Sequence, residues 1–331
     1  MARTQRTPAA GDTHRRPQTY SKSGNPARAA LARPTGQART ATLGDWVRAA
    51  RIPTLAVSVA AVVLGTGASW VTVLPAQWHW IRAGLALIVA VALQIGVNFA
   101  NDYSDGIRGT DVRRQGPTRL VGSGLAQPKS VLTVALVWFG IAGLAGLAIT
   151  LITHHWWLLA VGAIAIAAAW FYTGGKRPYG YYALGEVAVF VFFGLVAVVG
   201  SAFIQGFGIG QQVWWVAVGA GLLAVSVLIA NNLRDIDGDR IAGKRTLMTL
   251  IGRRASKVLF CICLLAPFAM IALVAVLIPG VWFVMFALLA AVPACVILTT
   301  AKHPSELVLA MKLASLTALI YGVGLGVLFA L

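Results

Sequence analysis

Nine stretches of about twenty residues, each almost free of charged side chains, fill this sequence from residue 54 to residue 330. A helix of that length crosses the roughly 30 Å hydrocarbon core of a bilayer. Inside that core every backbone N–H and C=O needs a partner within the protein, which leaves only helices and closed barrels. A barrel would alternate apolar and polar residues. Runs such as LLAVGAIAIAAAW (158–170) show no alternation. Only 11% of the chain is charged, against about 25% for a soluble domain. The expected fold is therefore all-α: a multi-pass bundle embedded in the lipid bilayer.

The nine spans run roughly 54–76, 81–101, 130–152, 157–173, 184–206, 213–233, 256–278, 281–300 and 308–330, with Pro279-Gly280 as the break between the seventh and eighth. Residues 1–42 carry Arg, Pro, Thr, Ala and Gly without apolar periodicity, the composition of a disordered basic tail. Residues 43–331 form the membrane domain. A net charge of +17 would suggest nucleic acid in a soluble protein. Here it sorts by connection instead, so no nucleic-acid partner is expected. With the tail placed inside, the inside loops hold sixteen Lys and Arg, whereas the outside loops hold only Arg82. The positive-inside rule then puts the tail in the cytoplasm and the carboxyl end outside. Cys261, Cys263 and Cys295 fall within apolar runs and read as small packed hydrophobes.

The scarce acids do not sort this way. The chain has ten, and six lie in two stretches. NFANDYSDGIRGTD (98–111) holds Asp102, Asp105 and Asp111, and NNLRDIDGDRIAGKRTL (231–247) holds Asp235, Asp237 and Asp239. Each closes a span on the cytoplasmic side and opens a basic loop. Ala100-Asn101…Asp105 also matches Ala230-Asn231…Asp235, an offset of 130 residues that suggests an internal duplication. Helical spacing groups Asn101, Asp102 and Asp105 on one helix, and Asp235 with Asp239 on the other, while Asp237 points elsewhere. Carboxylates this close repel one another unless a positive charge sits between them. Oxygen ligands favour a hard cation, and Mg2+ is commonly held by one or two carboxylates plus substrate phosphates. Arg108, Arg113, Arg114 and Arg119 follow the first cluster, while Arg234, Arg240, Lys244 and Arg245 surround the second. The economical reading is a Mg2+-bridged diphosphate beside an apolar bundle, hence an isoprenyl diphosphate substrate. The alternative from another class is a divalent-cation transporter, whose carboxylates would lie near the bilayer midplane in broken helices.

Taken together, NDYSDGIRGTD, GPTRLVGSG, YTGGKRPYGYYALGE and NNLRDIDGDRIAGKRTL resemble the UbiA superfamily of intramembrane aromatic prenyltransferases, over about residues 45–331. Within it they are most similar to the members that prenylate 1,4-dihydroxy-2-naphthoate. The resemblance implies nine transmembrane helices and a Mg2+ cofactor. It implies Asn101, Asp105, Asp235 and Asp239 as ligands of the Mg2+-diphosphate, with Asp102 and Asp111 as contributors. It further implies a polyprenyl diphosphate donor and 1,4-dihydroxy-2-naphthoate as acceptor, with decarboxylation giving demethylmenaquinone. Rival acceptors include 4-hydroxybenzoate.

Other polar residues complete the candidate set. Arg108, Arg119, Lys244 and Arg245 are expected on the diphosphate. Lys176, with Arg177, stands in the loop after the fourth span, within reach of the diphosphate or the acceptor carboxylate. Tyr172 ends that span, as a pocket wall or an interfacial anchor. Arg51, before Pro53, is either a helix start or a bidentate grip on an acidic acceptor. Glu186 is expected at a loop edge, paired with Lys176 or Arg177. His79, His154 and His155 stand among tryptophans and read as an outer interfacial belt. Gly140, Gly143 and Gly146 are expected to permit close helix packing.

Overall fold

The computed structural model describes residues 40–71, 79–110, 119–206, 208–277 and 279–331. Asp111, Arg113, Arg114 and nearly all of the basic tail lie outside the described residues. A short helix, α1 (Leu43–Ala49), starts at a capping box in which Thr42 and Asp45 satisfy each other's backbone amides. Arg51 then turns into the left-handed region (φ 56°), and Pro53 opens α2 (Ile52–Ser69). The bundle continues with α3 (Trp80–Arg108), α4 (Pro128–Thr153), α5 (Trp157–Phe171), α6 (Gly185–Gly206) and α7 (Gln211–Ile241). It closes with α8 (Leu247–Leu277), a 3-10 turn (Pro279–Ala287), α9 (Leu288–Thr300) and α10 (Pro304–Ala330).

Eight of these segments are long and apolar enough to cross a membrane. The expected fourth span is present as α5 but has only 15 residues, about 22 Å of helix, so nine crossings become eight full-length ones and a shorter ninth. The second and sixth spans extend further than hydropathy indicates. α3 runs on to Arg108 and α7 to Ile241, which carries Asp102, Asp105, Asp235, Asp237 and Asp239 on helix rather than in loop. Gly109, left-handed at φ 73°, ends α3.

Small residues set the tightest contacts, but not the glycines expected from the sequence. A β-carbon on Gly67 would lie 1.9 Å from the Gly326 carbonyl oxygen, so α2 and α10 meet backbone to backbone. By contrast, a β-carbon on Gly140 or Gly146 would meet nothing within 4 Å, and one on Gly143 would meet only Ile166 at 3.8 Å. Gly143 and Gly146 line an internal cavity instead. α5 buries no residue completely and packs on α4 and α3 as an outer wall. Within α6, residues Phe190–Val199 are wound as a wider π-helix, a rare form that recurs at functional sites. Phe192, Phe193 and Val196 of this stretch face the same cavity.

The one cation in the loops expected outside has a structural role. Arg82 is buried, and its guanidinium donates to the carbonyls of Ile204 and Gln205 at the C-terminal end of α6. Those carbonyls lack helical partners and carry the negative end of the helix dipole. At the same end, His155 meets Phe203 edge-on at 5.2 Å, in keeping with an aromatic belt.

Candidate active site

The bundle encloses a cavity of about 880 Å3. The polar end is built by the C-terminal ends of α3 and α7, the loop after α5 and the α1–α2 elbow. The far end is walled by Val62, Ala86, Ile149, Leu158 and Ile204, which belong to one apolar cluster. Asp105 and Ala86 are nineteen residues apart on α3, so the cavity is roughly 28 Å deep. Its walls between these ends are largely aliphatic and aromatic.

Asn101, Asp105, Asp235 and Asp239 all line the polar end. Asn231 does so too, so the corresponding residues of the two similar stretches, Asn101 with Asn231 and Asp105 with Asp235, face one space. Asp105 is almost fully buried. Its Oδ1 accepts from the Tyr181 hydroxyl at 2.7 Å, and its Oδ2 lies 3.1 Å from Lys244 Nζ and 3.7 Å from Arg119 Nη2. Asp235 is gripped at both oxygens by Arg234, at 2.8 and 2.7 Å, and Arg234 also donates to Asn231 at 2.8 Å. Lys244, three residues past the end of α7, thus joins the second acidic stretch to the first. Asn101 Oδ1 accepts from Thr173 at 2.6 Å.

Several residues expected at the site stand elsewhere. Both Asp102 oxygens accept backbone amides, from Leu120 at 2.8 Å and Val121 at 3.0 Å. This carboxylate therefore fixes the chain that delivers Arg119 and does not line the cavity. The Arg108 guanidinium donates to the Thr173 and Gly175 carbonyls and lies over the Tyr181 ring, so it clamps the post-α5 loop from outside the cavity. Lys176 and Arg177 are exposed, and neither lines the cavity. Arg245 is also exposed, and it contributes its backbone N–H to Tyr181 O at 3.0 Å. Asp237 points away, as its spacing implied, into a 2.6 Å surface ion pair with Arg253. Glu186 is buried and accepts from Asn232 at 2.9 Å. The expected pairing with Lys176 or Arg177 is therefore replaced by a bond across the bundle. Tyr172 and Arg51 both line the cavity.

Sequence reading missed Tyr181 and Thr173 as members of this network and placed Arg234 only among the cations around the second cluster. Their signals are weak: a tyrosine in a tyrosine-rich loop, a threonine after a span, and, for Arg234, a place beside its own aspartate that does not reveal which group it grips. Tyr181 is pushed well above the ordinary phenol value of 10.0 by burial and then by the Asp105 carboxylate. It therefore stays a donor at all working pH values. Lys244 lies 4.7 Å from the centre of its ring. Tyr181→Phe removes one donor to a charged acceptor, a loss of about 1.5–3 kcal/mol from Asp105 positioning. The expected result is a roughly tenfold to hundredfold fall in turnover. Because the raised pKa makes the phenol's contribution complete below pH 10 and lost only above it, the deficit should be constant from pH 6 to 9; a deficit that titrates in that range would contradict this role.

Among the described residues, no three His, Cys, Asp or Glu side chains stand close enough to chelate a metal by themselves. The donors facing the cavity are all oxygens, and Lys244, Arg119 and Arg234 occupy the positions beside them. Such a site suits an anion that brings its own ligands, joined to a long apolar body.

An α-helical membrane bundle with a charged mouth over a deep apolar cavity defines an enzyme or carrier for an amphiphile with an anionic head. The chain belongs to the UbiA prenyltransferase family, whose sequence pattern matches residues 52–316. It is 53% identical over 228 residues to the 1,4-dihydroxy-2-naphthoate octaprenyltransferase of Mycobacterium tuberculosis, covering 66% of this chain and 74% of that protein. The enzyme of the same description from Escherichia coli is 38% identical over 215 residues, covering 62% and 68%. A UbiA homologue from Archaeoglobus fulgidus, solved with GPP and Mg2+, shares the fold at a TM-score of 0.60 and 14% identity, covering 84% of this chain and 98% of that one.

Proposed function

We propose that this membrane prenyltransferase transfers a polyprenyl group from a polyprenyl diphosphate to 1,4-dihydroxy-2-naphthoate, with loss of CO2, in menaquinone biosynthesis. The observation that carries the reaction class is the joining of Asp105, Asp235 and Asp239 with Arg119, Arg234 and Lys244 at the mouth of an aliphatic cavity. The acceptor rests on the relatives, two of which carry that activity in their descriptions at 53% and 38% identity.

The residues present fit Mg2+. Asn101, Asp105, Asp235 and Asp239 would hold it, and diphosphate oxygens would complete a coordination that few carboxylates cannot fill alone. Asp102 is left out, because both its oxygens are engaged by backbone amides. Bound there, the ion supplies charge neutralisation that makes diphosphate a competent leaving group. The rest falls to the chain. Lys244 and Arg119, now on Asp105, and Arg234, now on Asp235, are near enough to turn to the phosphates and stabilise charge growing on the leaving oxygen. Lys176, Arg245 and Arg108 take no direct part. The C–O bond breaks with its electron pair going to diphosphate, and prenyl C1 bonds to the ring carbon bearing the carboxylate. That carboxylate then leaves as CO2 and returns its electrons to the ring. The product is the prenylated hydroquinone, the reduced form of demethylmenaquinone. The cavity walls keep water from the allylic carbon until the ring captures it.

We further propose that the mouth and the amino-terminal tail face the cytoplasm and the carboxyl end faces outward, supported by the sixteen-to-one distribution of Lys and Arg. The decisive experiment incubates the purified protein with octaprenyl diphosphate and either 1,4-dihydroxy-2-naphthoate or 4-hydroxybenzoate and analyses products by mass spectrometry. Prenylated naphthohydroquinone is expected with the first acceptor only. EDTA should abolish product formation, and excess Mg2+ should restore it. Product from 4-hydroxybenzoate alone, or turnover indifferent to EDTA, would overturn the reading.

A further inference from the structure

Below the carboxylates, one patch of the cavity wall, between α2 and α3, gathers four polar residues in a lining that is otherwise mostly apolar. Asn98 and Gln94 stand seven and eleven residues before Asp105 on α3, about 10 and 16 Å deeper along the axis. Thr54 and Ser58 face them from successive turns of α2. All four residues belong to the cavity lining. Polar groups inside a membrane span are costly unless partnered and commonly mark function.

The hydrogen bonds of this patch fix its chemistry. Asn98 Nδ2 lies 2.9 Å from the Ala50 carbonyl, which can only accept, so the amide nitrogen must be the atom there. Asn98 Oδ1 is then an acceptor, and Gln94 meets it with Nε2 at 3.4 Å. The Thr54 hydroxyl donates to the Arg51 carbonyl at 2.8 Å and accepts from Gln94 Nε2 at 3.2 Å and Asn98 Nδ2 at 3.3 Å. Thr54 is thereby saturated, and both amide nitrogens are committed. The Gln94 carbonyl oxygen, Oε1, is the one polar atom of the three side chains that these bonds leave uncommitted, on a residue that lines the cavity. Ser58 Oγ, on the facing wall of the same cavity, is fully buried and without a hydrogen-bond partner among the described residues. A buried hydroxyl without a partner costs about 1–3 kcal/mol, and such groups in folded proteins commonly await a ligand or water.

We infer that Gln94 Oε1 and Ser58 Oγ form the subsite that recognises the ring hydroxyls of a dihydroxyaromatic acceptor, with Asn98 and Thr54 as the positioning residues that hold Gln94 in one orientation. This rests on the acceptor class proposed above and extends it to named atoms. Gln94 Oε1 accepts a hydrogen bond from one phenolic O–H. Drawing that proton outward raises electron density in the ring, which favours attack on an allylic carbon. Arg51, one turn nearer the mouth than Thr54, also lines the cavity and stands where an acceptor carboxylate would point. The acceptor thus lies along the α2–α3 wall, and the prenyl chain takes the aliphatic remainder of the cavity.

The test pairs a residue with a substrate hydroxyl. Wild type, Gln94→Leu and Ser58→Ala are assayed with geranylgeranyl diphosphate and either 1,4-dihydroxy-2-naphthoate or 1-hydroxy-2-naphthoate, which lacks one hydroxyl. At least one substitution should lower kcat/KM for the dihydroxy acceptor about tenfold or more, as expected for one lost hydrogen bond. Its effect on the monohydroxy acceptor should be much smaller, and KM for geranylgeranyl diphosphate should not change. Equal losses on both acceptors, or a raised KM for the diphosphate, would overturn the subsite while leaving the activity standing. Failure of wild type to prenylate the dihydroxy acceptor would overturn the activity and the subsite with it. Should Gln94→Leu not fold, the Ser58→Ala comparison decides alone, since it removes only an unpartnered hydroxyl.

Discussion

Asp105→Ala should lose prenyl transfer by a thousandfold or more while the protein keeps its unfolding temperature in detergent within about 3 °C. The catalytic loss is large because this one carboxylate serves three groups. It takes the Tyr181 hydroxyl at one oxygen and lies near Lys244 and Arg119 at the other. Removing a single preorganised electrostatic contact in an active site typically costs a hundredfold to a thousandfold. Here the same change deletes a proposed metal ligand and also releases the two cations meant for the leaving group. Stability should change little, because Asp105, Lys244 and Arg119 all line the cavity, where water and anions can reach the two cations that the substitution releases, and alanine suits a helix. Product formation and thermal unfolding are measured on the same preparation. A rate within tenfold of wild type would remove Asp105 from the site. Asp105→Asn, which keeps an acceptor for Tyr181 but not the charge, should be nearly as inactive, and this separates charge from shape.

The second large effect concerns packing. Gly67→Val should cost about 3 kcal/mol or more, because the nearest obstacles are backbone atoms that no side-chain rotation can move. The new β-carbon would lie 1.9 Å from the Gly326 carbonyl oxygen. α2 and α10 would have to part, and α2 carries Thr54 and Ser58 along the cavity. The expected readout is a fall in unfolding temperature of about 5 °C or more, with poor recovery of monodisperse protein. Gly146→Val is the control. Its β-carbon meets nothing within 4 Å, so its unfolding temperature should match wild type. Equal destabilisation by both substitutions would mean that the bulk of the valine side chain in any span, not the α2–α10 contact, sets the cost, since valine is no worse a helix former than glycine.

These two glycines illustrate a general limit. A glycine within an apolar run looks the same whether it meets another helix, as Gly67 does, or thins a cavity wall, as Gly146 does. The difference lies in which helix comes to lie beside it. The carboxylates divide in the same way. Spacing places Asp102 and Asp105 within one turn, and either reads as a ligand. The rotation of α3 in the bundle sends Asp105 to the cavity and Asp102 to the Leu120 and Val121 amides. Spacing did succeed for Asp237, because two residues along a helix is a turn of about 200° and must part it from Asp235 and Asp239. The cations were harder to place. Lys and Arg side chains are long, and loop positions do not reveal their targets. Lys176 and Arg245 therefore looked as suitable as Lys244, and Arg234, buried beside its own aspartate, looked like a loop charge.

What the sequence determined by itself are properties that one segment settles alone. The spans follow from hydrocarbon thickness, and their helicity follows from the need to satisfy the backbone without water. The pairing of two acidic stretches with two basic ones follows from charge repulsion. What only the tertiary structure decided are properties shared between segments: which face of α3 and α7 looks inward, which loop delivers Arg119, and where Gln94 and Asn98 find Thr54. Those depend on helix rotation and on contacts between residues tens to hundreds of positions apart, and no periodicity within a single span encodes them.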